Sequence, residues 1–76
     1  MELLLSELEI EGACRVIKVR GDRKIKRRLL EMGFVKGTVL LVKKVAPLGD
    51  PMELVIKGYH VSLRVSEADH VLVEKV

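Results

Sequence analysis

His60, His70 and Cys14 are the only imidazoles and the only thiol in this chain, and they fall in three separate segments. A zinc-type site needs three or four donors converging on one point, normally supplied as short-spaced pairs. Here the histidines are ten residues apart and Cys14 is distant from both. Asp50 and Glu53 could join His60 in a borrowed site, but no spacing supports one. No metal ligand is therefore assigned, and the histidines read as solvated or capping residues. A lone cysteine builds no disulfide framework, and in a strand-like context it reads as a buried, inert thiol.

Catalytic groups are equally sparse. The chain has no Gly-x-Ser-x-Gly, no cysteine beside a histidine and no carboxylate pair set up for acid–base work. "APLGDPMEL" (Ala46–Leu54) has the look of a phosphate loop, but it lacks the Lys and Ser/Thr that complete one. Its prolines, Pro47 and Pro51, also carry no N–H to donate to a phosphate. The expectation is a protein that is not an enzyme and holds no cofactor.

The same segment suits recognition better. Pro47 presets φ for a turn, Gly49 can take positive φ, and Pro51 pushes Asp50 into an extended conformation. A loop stiffened from both ends loses little entropy when it docks. Leu48, in its middle, either anchors a partner as interface hot spots do or folds back over its own domain. Pro47, Leu48, Gly49 and Asp50 are the first candidate partner-binding residues.

Charge supplies the second set. The net charge of +3 over 76 residues is unevenly spread. Glu2, Glu7, Glu9 and Glu11 make the first twelve residues acidic, whereas residues 13–36 hold nine Lys/Arg against Asp22 and Glu31. Such a block can steer an acidic protein surface or a nucleic acid, or simply form a solvated face. Single-strand binders of this size stack bases on exposed aromatics, and only Phe34 and Tyr59 are available. Phe34 follows a helix-ending glycine and reads as a core plug, so nucleic acid is not expected as a partner. Arg27 and Arg28 are the candidates for electrostatic steering of a protein.

These groups must be positioned by a thin core. A chain this short buries roughly 60–65% of the surface its unfolded form exposes, and it reads as one domain, 1–76. No apolar run approaches the roughly 20 residues of a membrane span, and no signal-peptide pattern is present, so a reducing cytoplasm is the expectation. "LSELEIEG" reads as a short turn leading to Gly12. Ala13–Val19 is a first strand rich in β-branched residues. Asp22 caps a helix over "RKIKRRLLEMG", in which Ile25, Leu29 and Met32 form one apolar stripe and Gly33 closes the last turn. "TVLLVKKVA" (Thr38–Ala46) alternates poorly, as a strand that curls through a barrel corner does. Met52–Lys57, "HVSLRV" and "HVLVEKV" complete the set, with Gly58-Tyr59 as a tight turn and "SEAD" as a one-turn connector. The sum is a mainly β fold: a small five-stranded SH3-like barrel with one short α-helix inserted after the first strand. An open two-sheet sandwich is the alternative.

Arg27 to Val73 resembles the FeoA family, ferrous iron transport protein A. "RRLLEMGFVKGT", "APLGDP", "GYHVSLR" and "EADHVLV" carry the likeness, at matching spacing and over almost the whole chain. Lys36 departs from the family's usual glycine–proline variant of the "VKG" turn. The resemblance implies an SH3-like barrel in the cytoplasm, acting as a non-enzymatic accessory that binds and tunes FeoB, the membrane ferrous iron transporter with a cytoplasmic GTPase region. It would reach the membrane only through that partner. Docking is expected through Pro47, Leu48, Gly49 and Asp50, with Arg27 and Arg28 steering. Two other mechanisms stay open: an arginine (Arg23, Arg27 or Arg28) lent to GTP hydrolysis by the partner, and direct carriage of Fe(II) or another divalent transition metal. Self-association through an exposed apolar loop is also left open.

Overall fold

Short alternating runs of Val, Leu, Ile and Met can bury their apolar faces only by pairing as strands around a common interior. The computed structural model describes residues 2–8, 12–45 and 50–76. Six strands form one antiparallel sheet: β1 (Glu2–Leu4), β2 (Ala13–Val19), β3 (Val39–Val45), β4 (Met52–Ile56), β5 (Tyr59–Leu63) and β6 (Val71–Lys75), in spatial order β1-β6-β2-β3-β4-β5. A single 3-10 turn spans Leu5–Glu7, α1 spans Arg23–Glu31, and α2 is the one-turn helix Val65–Ala68. Every strand from β2 to β6 sends side chains into one apolar cluster, and the described strands are hydrogen-bonded in one six-stranded sheet.

The mainly β architecture with a short helix is as expected, with one strand more. Glu2, Leu3 and Leu4 pair with Glu74, Val73 and Leu72 of β6, and the turn that follows buries Leu5 and Leu8. Three residues carry no readable period; what makes them a strand is the unpaired edge that β6 offers. The helix therefore follows the second strand. Similarly, β5 ends at Leu63, and Val65 opens α2 instead of extending the strand.

Two β-bulges resolve the irregular patterns. The β3–β4 register shifts between Val42 and Lys44, so Leu40 and Val42 are buried and Val45, at odd spacing from them, still packs against the core. The β2–β6 register shifts between Val16 and Lys18, so Ile17, opposite in face to Val16, points away from the cluster, Lys18 stays exposed and Val19 turns back toward the core. The β4–β5 hairpin turns through Lys57 and Gly58, with φ of 51° and 81°. Two successive positive φ values define the tight turn that matches strand twist, one residue earlier than expected.

Asp22 caps α1 as expected, its carboxylate accepting the Ile25 N–H at 2.9 Å. At the other end Gly33 (φ 103°) and Phe34 donate to the Leu30 and Leu29 carbonyls, both at 3.0 Å. This pair of bonds needs a left-handed residue at Gly33 and delivers Phe34 into the core beside Leu29.

Cys14 is buried on β2, and burial raises its thiol to about 11 from an ordinary 9.0. The folded state thus holds this proton more tightly than the unfolded chain, so its contribution to stability is complete below pH 9 and fades as the pH rises through 11. Holding the thiol at about 11 against an ordinary 9.0 corresponds to about 2–3 kcal/mol. The urea midpoint of the wild type is expected to fall further between pH 9 and 11 than that of Cys14→Val, and native Cys14 should resist thiol reagents.

Candidate partner-docking site

Helix α1 is built to sit on the sheet by one face and present charge on the rest. Five of its nine residues are Lys or Arg, while Leu29 is buried and Ile25 half-buried against the core. Arg28 Nε lies 3.2 Å from Glu67 Oε2, joining α1 to α2. The other oxygen of Glu67 accepts the Arg64 N–H at 3.0 Å, so this carboxylate, only 16% exposed, caps α2 and pairs with α1 at once. Asp50 Oδ1 accepts the Val65 N–H at 3.0 Å, which fixes the start of β4 to the same turn. A hydroxyl–carboxylate bond from Ser6 to Asp69 ties the N-terminal turn to the far end of α2.

Arg28, Asp50, Pro51, Ser62, Arg64 and Glu67 line an open groove of about 430 Å³. Of the residues expected to bind a partner, the structure therefore brings Arg28 and Asp50 together. Arg27 lies on another flank of α1, 82% exposed and 3.7 Å from Glu31. Pro47, Leu48 and Gly49 lie outside the described residues. Asp50 is not free at the groove's rim; its carboxylate is engaged in holding α2.

Arg64 and Glu67 were not singled out from the sequence. Glutamate three residues after a strand-ending position is a recognisable helix-start signal, and it marks Glu67. Nothing local marks the Arg28–Glu67 pair, which spans 39 positions. Chemically the groove offers the Arg28 and Arg64 guanidinium groups and the Ser62 hydroxyl to a polar surface, with Asp50 and Glu67 engaged in holding α2. His60 is exposed on β5 opposite Val55. Among the described residues no three His, Cys, Asp or Glu side chains converge. No helix among them is long and apolar enough to cross a membrane.

Glu67 gives a clean test of what holds this groove. Glu67→Ala strands the Arg64 N–H and should cost about 1–2 kcal/mol in urea denaturation. Glu67→Gln keeps the acceptor and loses only a partly exposed charge pair, so it should cost under about 1 kcal/mol. Equal losses for the two would mean the charge, not the cap, holds the turn.

Known proteins share this fold. The FeoA domain model matches residues 3–75. An Fe(2+) transport protein A/Fe(2+) transporter FeoB fusion protein of Porphyromonas gingivalis is 40% identical over 72 residues; these are 95% of this chain but only 8% of that protein's length. A FeoA-like protein from Clostridium acetobutylicum, solved by NMR, superposes with a TM-score of 0.92 at 40% identity, covering 99% of this chain and 87% of that one. FeoA of Stenotrophomonas maltophilia, crystallised with zinc and described as a procaryotic SH3 domain protein, gives 0.82 at 34% identity over 95% of this chain and 89% of its own. The SH3-like fold is therefore shared, and with a family model matching from residue 3 to residue 75, this chain belongs to the FeoA family.

Proposed function

We propose that this protein is a cytoplasmic, non-enzymatic accessory of ferrous iron uptake that binds the GTPase region of a FeoB-type transporter and regulates it. The observation that carries this reading is the P. gingivalis relative, in which a domain 40% identical to this chain is joined covalently to FeoB. Fusion holds two modules at effective concentrations of about a millimolar, so even weak docking is occupied. The affinity of the docking itself is set by the domain's own surface. The Arg28–Asp50 groove and Pro47, Leu48 and Gly49, which precede Asp50 in the sequence, are assigned that role, with Arg27 and Arg28 raising the encounter rate.

Leu48→Ala should weaken retention of the transporter's cytoplasmic region about five- to thirtyfold, the range of a lost apolar anchor. Equal retention by a folded Leu48→Ala protein would remove this segment from the interface. GTP hydrolysis by the partner, followed with and without saturating protein, reads the sign of the regulation.

A further inference from the structure

Beyond the transporter reading, we infer that the flank of α1 away from Arg28 is a second docking surface, shaped for an acidic peptide segment with apolar anchors. Ile17 and Leu30 are its centre. Ile17, on the face of β2 opposite buried Val16, lies outside the core cluster, and Leu30, 49% exposed, lies beside the α1 stripe that the core takes up. Two adjoining concavities share Leu30 and Lys26: one of about 310 Å³ reaching Ile17, Lys18 and Lys36, the other of about 790 Å³ reaching Arg23 and Arg27.

The rim is almost wholly cationic. Lys18, Arg23, Lys26, Arg27 and Lys36 surround the apolar floor, and Glu31 is the one acid lining it, 3.7 Å from Arg27. Among the described residues, Lys18, Arg23, Lys26 and Lys36 form no salt bridge. An apolar strip bordered by five cations, four of them without a salt bridge among the described residues, is complementary to a segment that carries leucine-like side chains flanked by carboxylates. An anionic bilayer fits less well, because membrane-surface binding wants apolar side chains projecting past the basic groups. Here the floor is half-buried Ile17 and a Leu30 framed by lysines. The acidic N-terminus of a second copy fits less well too, since Leu5 and Leu8 are already buried in their own domain.

The probe is a fluorescein-labelled peptide of about twelve residues with leucine at i, i+4 and i+7 and glutamate between. Anisotropy at low salt should show saturable binding that weakens as ionic strength screens the rim. Replacing the peptide's leucines by alanine, or introducing Leu30→Asp, should weaken binding about tenfold. Lys26→Glu should do the same, whereas Arg28→Glu, on the other flank, should change it less than twofold. Leu30 and Lys26 lie outside the core, and circular dichroism verifies that each variant is folded. The inference is overturned if the alanine peptide binds equally, if Leu30→Asp and Lys26→Glu leave affinity unchanged, or if Arg28→Glu is as damaging as either. Stronger binding to phosphatidylserine vesicles than to the peptide would reassign the surface to lipid. Concentration-dependent dimerisation abolished by Leu30→Asp would reassign it to a second copy. Loss of transporter binding in Leu48→Ala with peptide binding intact would separate this surface from the groove.

Discussion

Phe34→Ala is expected to leave most of the protein unfolded at 25 °C. Phe34 is fully buried, and it is the aromatic residue of a core otherwise made of aliphatic side chains, Met52, Cys14 and Ala68. Truncating a buried phenylalanine costs about 3–5 kcal/mol. A domain of this size has a stability on the order of 5 kcal/mol, so the remainder is close to zero. The damage is also topological. Phe34 follows the left-handed Gly33 and its N–H bonds the Leu29 carbonyl, so the ring secures the point where helix returns to sheet. Phe34→Leu keeps volume and hydrophobicity and should retain a cooperative urea transition with a loss of roughly 1–2 kcal/mol. If Phe34→Ala instead unfolds within 1 kcal/mol of wild type, the ring is not the keystone claimed here.

Leu29→Ala has the next largest effect, a loss of about 2–4 kcal/mol, and a different character. Leu29 is the one residue of α1 that is fully buried. A nine-residue helix is too short to persist without tertiary contacts, so weakening that contact releases the whole element. Native-state hydrogen exchange should show α1 amides opening well before those of β2 and β6. Arg27, Arg28 and Lys26 would lose their fixed positions in the same step. Leu30→Ala, one residue on and half exposed, should change stability by less than about 1 kcal/mol. Similar losses at 29 and 30 would mean that α1 is not docked by this stripe.

Much of this fold was legible because local chemistry agreed with the global outcome. Asp22, Gly33 and the Ile25–Leu29–Met32 spacing each state where α1 starts, ends and faces. The alternation in Met52–Ile56 names its buried residues directly. Other features depend on partners far away in sequence. Glu2–Leu4 is a strand only because β6 has a free edge, and no property of three residues reveals that. The faces of Val19 and Val45 are obscured in the sequence because register shifts break the two-residue period. In the candidate site, charge alone singles out Arg28, but its placement against Glu67 needs a contact between α1 and α2 that composition cannot express. Asp50 stands out in the sequence as part of a turn, and in the structure its carboxylate caps α2 from fifteen residues away. Local rules thus found the residues, and tertiary pairing gave them their neighbours.

The proposed function requires this FeoA-family chain to dock on a FeoB-type transporter through its own surface. Titration of the purified protein into the purified cytoplasmic region of that transporter, followed by calorimetry at low and moderate salt, is the decisive measurement. The predicted result is saturable one-to-one binding, tighter than the roughly millimolar level at which a fused domain needs no affinity of its own, and weakened by salt and by Arg28→Glu. No heat and no co-elution at millimolar concentrations of the folded protein would contradict it.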